Sequence, residues 1–335
     1  MSLLPIVLAL LLQPPATPPV VAEAELAPLS ETLRSRFDVI TRDPPHELIR
    51  KSHYWTGNER SLHLWHHALA DRGGAYLGVG TDQNYLLAGW AKSELVVVVD
   101  FDQAIIDLHR SYIAFLEHAE TPEQFLALWS EEGMADALTV LQARWGDDPR
   151  WERIRRVYKV ARRLVAKRLA AVMQRTQEHG IATFIDDATQ YQHVRALAQS
   201  GRVIALRGDY AGAHTLAGVA EVLHEAGLRL GVIYLSNLEQ YVDYTPQFRR
   251  NLLAFDVADD AVVVRTLGWR SFGFAPGEHY HYNVQPAPLF AGWLRHNRVK
   301  RLPDLLLQRT KTGTRGLSIL DREPVHSKTP PVIAR

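Results

Sequence analysis

Two glycines and an acid are the residues best placed to do chemistry. Gly78 and Gly80 close the run Ala75-Tyr76-Leu77-Gly78-Val79-Gly80, and Asp100 closes a second apolar run 20 residues after Gly80. Glycine at the end of a strand lets the backbone take positive φ and approach a ligand without a Cβ clash. A carboxylate at the end of the next strand can accept both hydroxyls of a ribose. Asp102 is a second candidate for that role. The chemistry implied is nucleoside binding. The third glycine of a dinucleotide fingerprint would fall at Gln83, whose side chain obstructs a pyrophosphate.

A second set of polar residues follows other apolar runs. Ser236-Asn237-Leu238-Glu239-Gln240 comes after one run, Arg207-Gly208-Asp209-Tyr210 ends another, and Asp186-Asp187 ends a third. Asp209 and Glu239 are candidates for taking a proton from an acceptor, and Asn237 stands beside them as a third catalytic candidate. The competing explanation is that these side chains cap the helices that follow. His63 and His67 are four apart, and His279 and His281 alternate. Neither pair has a third ligand at a fixed spacing, so no metal site is expected. The chain contains no cysteine, which excludes thiolate metal sites, disulfides and a cysteine nucleophile.

These residues need a scaffold that brings strand ends together. The expected strands are 75–79, 95–100, 182–185, 203–206, 230–235, 261–266 and 279–285. Helices are expected between them, over 59–72, 103–118, 122–129, 151–178, 189–199, 211–226 and 247–255, with a short one after 80. Strands alternating with helices imply a mostly parallel sheet covered on both faces. The fold class is therefore α/β, doubly wound, with a seven-stranded sheet closed by a final antiparallel pair. In such a sheet, ligands bind beyond the carboxyl ends of the strands.

The flanks read differently. An apolar run at 3–12, a proline-rich stretch and Ala22-Glu23-Ala24 resemble a secretory signal peptide over residues 1–24, so export to the periplasm or envelope is expected. Residues 25–52 form a lead-in, 53–307 the domain with a helical insertion at about 119–180, and 308–335 a mobile tail. The formal charge of +1 gives no overall field that points to nucleic acid. The 151–175 helix carries nine Lys or Arg and one acid, Glu152. Its basic face can lie against an anionic membrane surface or be solvated.

The order of elements resembles the class I S-adenosylmethionine methyltransferases. Within that class, Tyr76–Tyr85 and Tyr234–Tyr241 are similar to an uncharacterised bacterial family of methyltransferase-like proteins, over roughly Tyr54 to Val264. The resemblance implies S-adenosylmethionine as cofactor and carries Gly78, Gly80 and Asp100 over as its contacts. Asp82, Gln83 and Asn84 in the same turn are expected to join them. The acid usual two residues before the first glycine is replaced by Tyr76, and the usual third glycine by Asp82. Asp82 or Glu59 is expected to meet the cofactor's α-amino group instead. Two functions follow: methyl transfer to an unknown acceptor, or a non-catalytic, methyltransferase-like binding protein of the envelope.

Overall fold

The computed structural model describes residues 26–48, 51–296 and 298–324. The leader expected over 1–24 lies outside them. The described chain opens with α1 (Glu31–Val39), a 3-10 turn (Leu62–Trp65) and α2 (His66–Leu69). The core alternation follows: β1 (Ala75–Gly78), α3 (Gln83–Ala91), β2 (Leu95–Asp100) and α4 (Gln103–His118). Helices α5 (Pro122–Ala127), α6 (Met134–Trp145), α7 (Trp151–Gln177) and α8 (Ala188–Gln199) fill the interval before β3 (Val203–Arg207). Then come α9 (Thr215–Glu225), β4 (Leu230–Ser236), α10 (Pro246–Leu253), β5 (Val257–Leu267) and β6 (His281–Pro286). The described chain closes with α11 (Ala287–Leu294), α12 (Leu302–Leu306), β7 (Thr310–Lys311) and β8 (Leu317–Ile319).

The strands form one eight-stranded sheet in the order β3-β2-β1-β4-β5-β6-β8-β7. The first five in that order run parallel to their neighbours, and β6 is antiparallel to β5. This is a doubly wound, Rossmann-like α/β arrangement. The chain leaves β1 toward β2 on one side and returns to β4 on the other, so the topological switch lies between β1 and β4.

The central strands are buried on both faces, which is why they are continuous apolar runs rather than alternating ones. Tyr76, Val96 and Val98 pack into one core with α3, α4, α7 and α8. Leu77, Val97 and Val99, one residue out of phase, pack into a second core with α9, α10 and α11. Each fully buried Val or Leu contributes on the order of 1.5–3 kcal/mol relative to exposure. A one-residue slip of β2 would move its whole set of side chains between the two cores.

Three expectations differ from the structure. Residues 182–185 are not a strand. Asp186 accepts hydrogen bonds from the Thr183 N–H (2.7 Å) and hydroxyl (2.6 Å), which bends the segment into a turn. Phe184 and Ile185 are buried there without joining the sheet. The stretch 59–72 is a 3-10 turn running into a single α-turn, not one long helix. The tail expected to be mobile from residue 308 supplies β7 and β8 instead, and β8 pairs in parallel with β6. Losing one expected strand and gaining two accounts for eight strands rather than seven.

Candidate functional site

The crevice at the switch has a volume of about 380 Å³. Its walls come from the β1–α3 turn, the ends of β2, β3 and β4, residues 54–58 just after the lead-in, and Tyr280 just before β6. That size suits a small organic ligand or a nucleoside.

The turn after β1 is held from below. Gly80 takes φ +83°, a conformation that side chains resist. Its N–H donates to Asp100 Oδ2 (3.1 Å), and its carbonyl accepts from His109 Nε2 (2.8 Å). Because a carbonyl can only accept, His109 carries its proton on Nε2, and Nδ1 accepts from the Tyr85 hydroxyl (2.8 Å). Burial lowers the His109 pKa to about 4, so the ring is neutral in this role.

Asp100 lines the crevice and is 8% exposed. It accepts from the Gly80 N–H and from the Asp102 N–H (2.8 Å). Burial, with the nearby Asp102 charge adding to it, pushes its pKa up to about 7, against the pull of those two N–H donors. Each carboxylate oxygen has a lone pair left for a ligand hydroxyl. Asp100, expected from the sequence to meet a ribose, thus lines the crevice with acceptor capacity left over. Asp102 is committed elsewhere: it caps α4 through the Ala104 N–H (2.9 Å) and pairs with His53 Nδ1 (2.7 Å).

Several expected contacts are structural instead. Gly78 is not on the crevice wall; a Cβ there would meet Asn84 Oδ1 at 2.0 Å and Tyr76 Cε1 at 2.6 Å. Its glycine is required by internal packing. Asn84 is fully buried, donates to the Val79 and Thr81 carbonyls, and accepts from the Tyr76 hydroxyl (3.1 Å). It braces the turn and cannot reach a ligand. Asp82 is 2% exposed and forms a buried ion pair with Arg168 of α7 (2.9 Å). Its other oxygen accepts from the Gly57 N–H (2.6 Å).

Glu59 is also buried away from the wall. Its Oε1 accepts from the hydroxyls of Tyr234 (3.1 Å), Ser236 and Thr266 (3.3 Å). Gln83 does reach the wall, where its amide donates to that same Tyr234 hydroxyl (2.8 Å). Neither acid expected to meet an α-amino group is therefore open to the crevice.

Of the catalytic candidates, Asp209 and Asn237 line the crevice and Glu239 does not. Glu239 is 2% exposed and faces inward to Arg265 (3.3 Å) and the Tyr244 hydroxyl. Burial raises its pKa, opposed by Arg265 and that hydroxyl. Asp209 accepts from the Ala211 N–H (2.9 Å) and pairs with His46 (2.7 Å). Asn237 donates to the Tyr280 hydroxyl (3.2 Å), which also accepts from Asn58 (2.6 Å). With two amides donating to its oxygen, the Tyr280 hydroxyl keeps its own proton for a third partner. Burial raises its pKa to about 12, so that proton stays on. Asp186 and Asp187 lie outside the crevice, and Asp187 caps α8 through the Gln190 N–H (2.8 Å).

Ser236 ends β4 at the switch with φ +48°, a strained conformation for a side-chain residue. Its hydroxyl is drawn back to Glu59, and that contact holds the turn in place. One member of each histidine pair is engaged elsewhere: His63 stacks on His179 with centroids 3.6 Å apart, and His281 bonds the Gly273 carbonyl and the Ser318 hydroxyl. Among the described residues no group of His, Cys, Asp or Glu is arranged to hold an ion.

The sequence reading missed the lead-in. Asp43 accepts from the N–H groups of Asp209 (3.1 Å), His214 (2.9 Å) and Thr215 (3.2 Å), which fixes the loop after β3. These hydrogen bonds hold its carboxyl below the usual range despite its burial. His46 of the lead-in and His53 just after it then pair with two crevice acids, Asp209 and Asp102. No local signal could have shown this, because the partners are 49 to 172 residues apart.

The domain of unknown function DUF7790 matches residues 54–321. The chain belongs to the DUF7790 family. The matched span begins on the crevice wall at Tyr54 and ends just past β8. The DUF7790 domain thus includes the added strands β7 and β8, but not His46 or His53. No curated protein matches the chain.

Proposed function

We propose that this DUF7790 protein binds a nucleoside-type ligand in the crevice between the β1 and β4 ends. The observation that carries the reading is Asp100, placed at the end of β2 beside the Gly80 turn, with acceptor capacity facing the crevice. Tyr280 and Asn237 on the opposite wall offer polar groups to orient the rest of the ligand.

S-adenosylmethionine is the specific ligand, and methyl transfer to an unknown acceptor the reaction, that the family resemblance implies. The nucleoside half of that cofactor suits Asp100. The methionine half does not: Asp82 is neutralised by Arg168, and Glu59 is enclosed by three hydroxyls. Of the two proposed proton acceptors, Glu239 is buried against Arg265 and Asp209 is held by His46. These occupied acids favour the binding protein over the methyltransferase.

Calorimetric titration of the full chain with adenosine, S-adenosylmethionine and S-adenosylhomocysteine separates the two. The binding reading expects the three affinities to agree within about tenfold, or about 1.4 kcal/mol. Asp100→Ala should then weaken all of them at least tenfold. A hundredfold preference for S-adenosylmethionine over adenosine would restore the methyltransferase, and silence from all three would remove the nucleoside site.

A further inference from the structure

A second concavity lies directly beside the crevice, between α7 and the segment Thr56–Arg60, with a volume of about 590 Å³. Thr56, Gly57 and Asn58 line both spaces. Four cations face this groove: Arg60, Lys167, Arg168 and Arg175. Glu178 is the one acid on its lining.

The four cations are not equally committed. Arg175 has Glu178 at 3.7 Å. Arg168 is 9% exposed, and its Nε is locked on Asp82 at 2.9 Å. Its Nη2 has no hydrogen-bond partner among the described residues. Arg60 donates only weakly, to the Gly277 carbonyl at 3.5 Å. Neither Arg60 nor Lys167 has a carboxylate partner among the described residues.

The rest of α7 behaves differently. Arg153, Arg155, Arg162 and Arg163 are each paired with an acid, Asp107, Glu152 or Glu131. Those four charges are balanced locally, as on an ordinary solvated helix, whereas Arg156 and Lys159 have no carboxylate partner among the described residues and lie off the groove lining. Where α7 meets the crevice wall, Lys167 and Arg60 bring two cations without a carboxylate partner among the described residues to one concave lining. A concave, low-dielectric wall focuses such a field on whatever enters.

We infer that this groove is an anion subsite for a phosphate group, contacted by Arg60 and Lys167 over a floor set by Arg168. The inference deepens the nucleoside reading and rests on it in one respect: the shared wall at Thr56–Asn58 places the phosphate next to the crevice ligand. The phosphate is either part of that ligand, as in a nucleotide, or belongs to a second small molecule.

The test titrates the full chain with inorganic phosphate, pyrophosphate, adenosine and adenosine monophosphate at low and at high salt. The expected result is phosphate or pyrophosphate binding that weakens with salt. It should fall at least fivefold in Lys167→Ala and in Arg60→Ala. Lys159→Ala, an equal charge loss on the same helix but off the groove lining, should leave it unchanged. A nucleotide source appears as adenosine monophosphate binding more tightly than adenosine, with that advantage lost in Lys167→Ala. A separate phosphate compound appears as phosphate binding with no such advantage.

The subsite is refuted if neither phosphate nor pyrophosphate binds, or if Lys159→Ala weakens binding as much as Lys167→Ala. Failure of the crevice reading is a distinct result: phosphate binds and adenosine does not. Thermal melts of the three variants check that each is folded.

Discussion

Asp82 and Asp100 flank the Gly80 turn and are both nearly dry, at 2% and 8% exposed. Asp82, on the floor, has a guanidinium at 2.9 Å and a backbone N–H at 2.6 Å. Asp100, on the wall, has two backbone N–H donors and no cation partner among the described residues. The floor acid is balanced and closed. The wall acid is left with its desolvation cost, which is why its pKa rises to about 7. The burial penalty left standing beside the crevice supports the proposed ligand position at Asp100, whereas the ion-paired Asp82 serves the architecture.

The comparison breaks most severely at the floor. Arg168→Met strands Asp82 as an uncompensated buried charge and should cost about 3–5 kcal/mol. Denaturant melts should show that loss, with much of it recovered in the Asp82→Asn/Arg168→Met double variant. Equal loss in single and double variants would mean that Arg168 acts by packing alone.

The wall should respond to pH with the opposite tendency. The Asp100 carboxyl titrates near 3.8 in the unfolded chain and near 7 when folded. The folded state therefore holds the proton more tightly, and this contribution is fully present below pH 3.8. It is lost as the pH rises to 7 and is flat above. Asp100→Asn cannot lose it, so its stability relative to the parent should climb between pH 4 and 7. The ceiling is about 4 kcal/mol at 1.36 kcal/mol per unit. The neutral amide cannot accept both N–H groups, which lowers the variant's stability equally at every pH and leaves the climb intact. Melts of the two proteins side by side cancel the separate losses at low pH from His63 and His109, whose pKa values are lowered to about 4.

A smaller effect sharpens the role of the turn. His109→Leu leaves the Gly80 carbonyl and the Tyr85 hydroxyl without their partner and should cost about 1–3 kcal/mol. If the turn is the binding element, adenosine affinity should fall as well. Unchanged affinity would show that Gly80 keeps its shape without that brace. The smallest effect lies away from both acids. Lys92 ends α3 at φ +49°, so Lys92→Gly should stabilise by about 0.5 kcal/mol, less any loss from its exposed pair with Asp71. Chemical denaturation measures that, and no change in ligand affinity is expected.

The sequence by itself determined the parallel core, because β1, β2 and β4 are apolar on both faces and can be stable only between two layers. It also placed the Gly80 turn and Asp100 together, since both lie within one βαβ unit whose geometry is local. It misread 182–185, where the Asp186 side chain competes for the backbone that a strand would need. It took the tail for mobile because β7 and β8 are too short to show periodicity and exist only by pairing beyond β6. Only the tertiary structure decided which acids are free. Asp82, Glu59 and Glu239 look as available in the sequence as Asp100 does. The groups that occupy them, the guanidiniums of Arg168 and Arg265 and the Tyr234 hydroxyl, come from elements 26 to 175 residues away. Charge compensation acts through space, and no spacing along the chain records it.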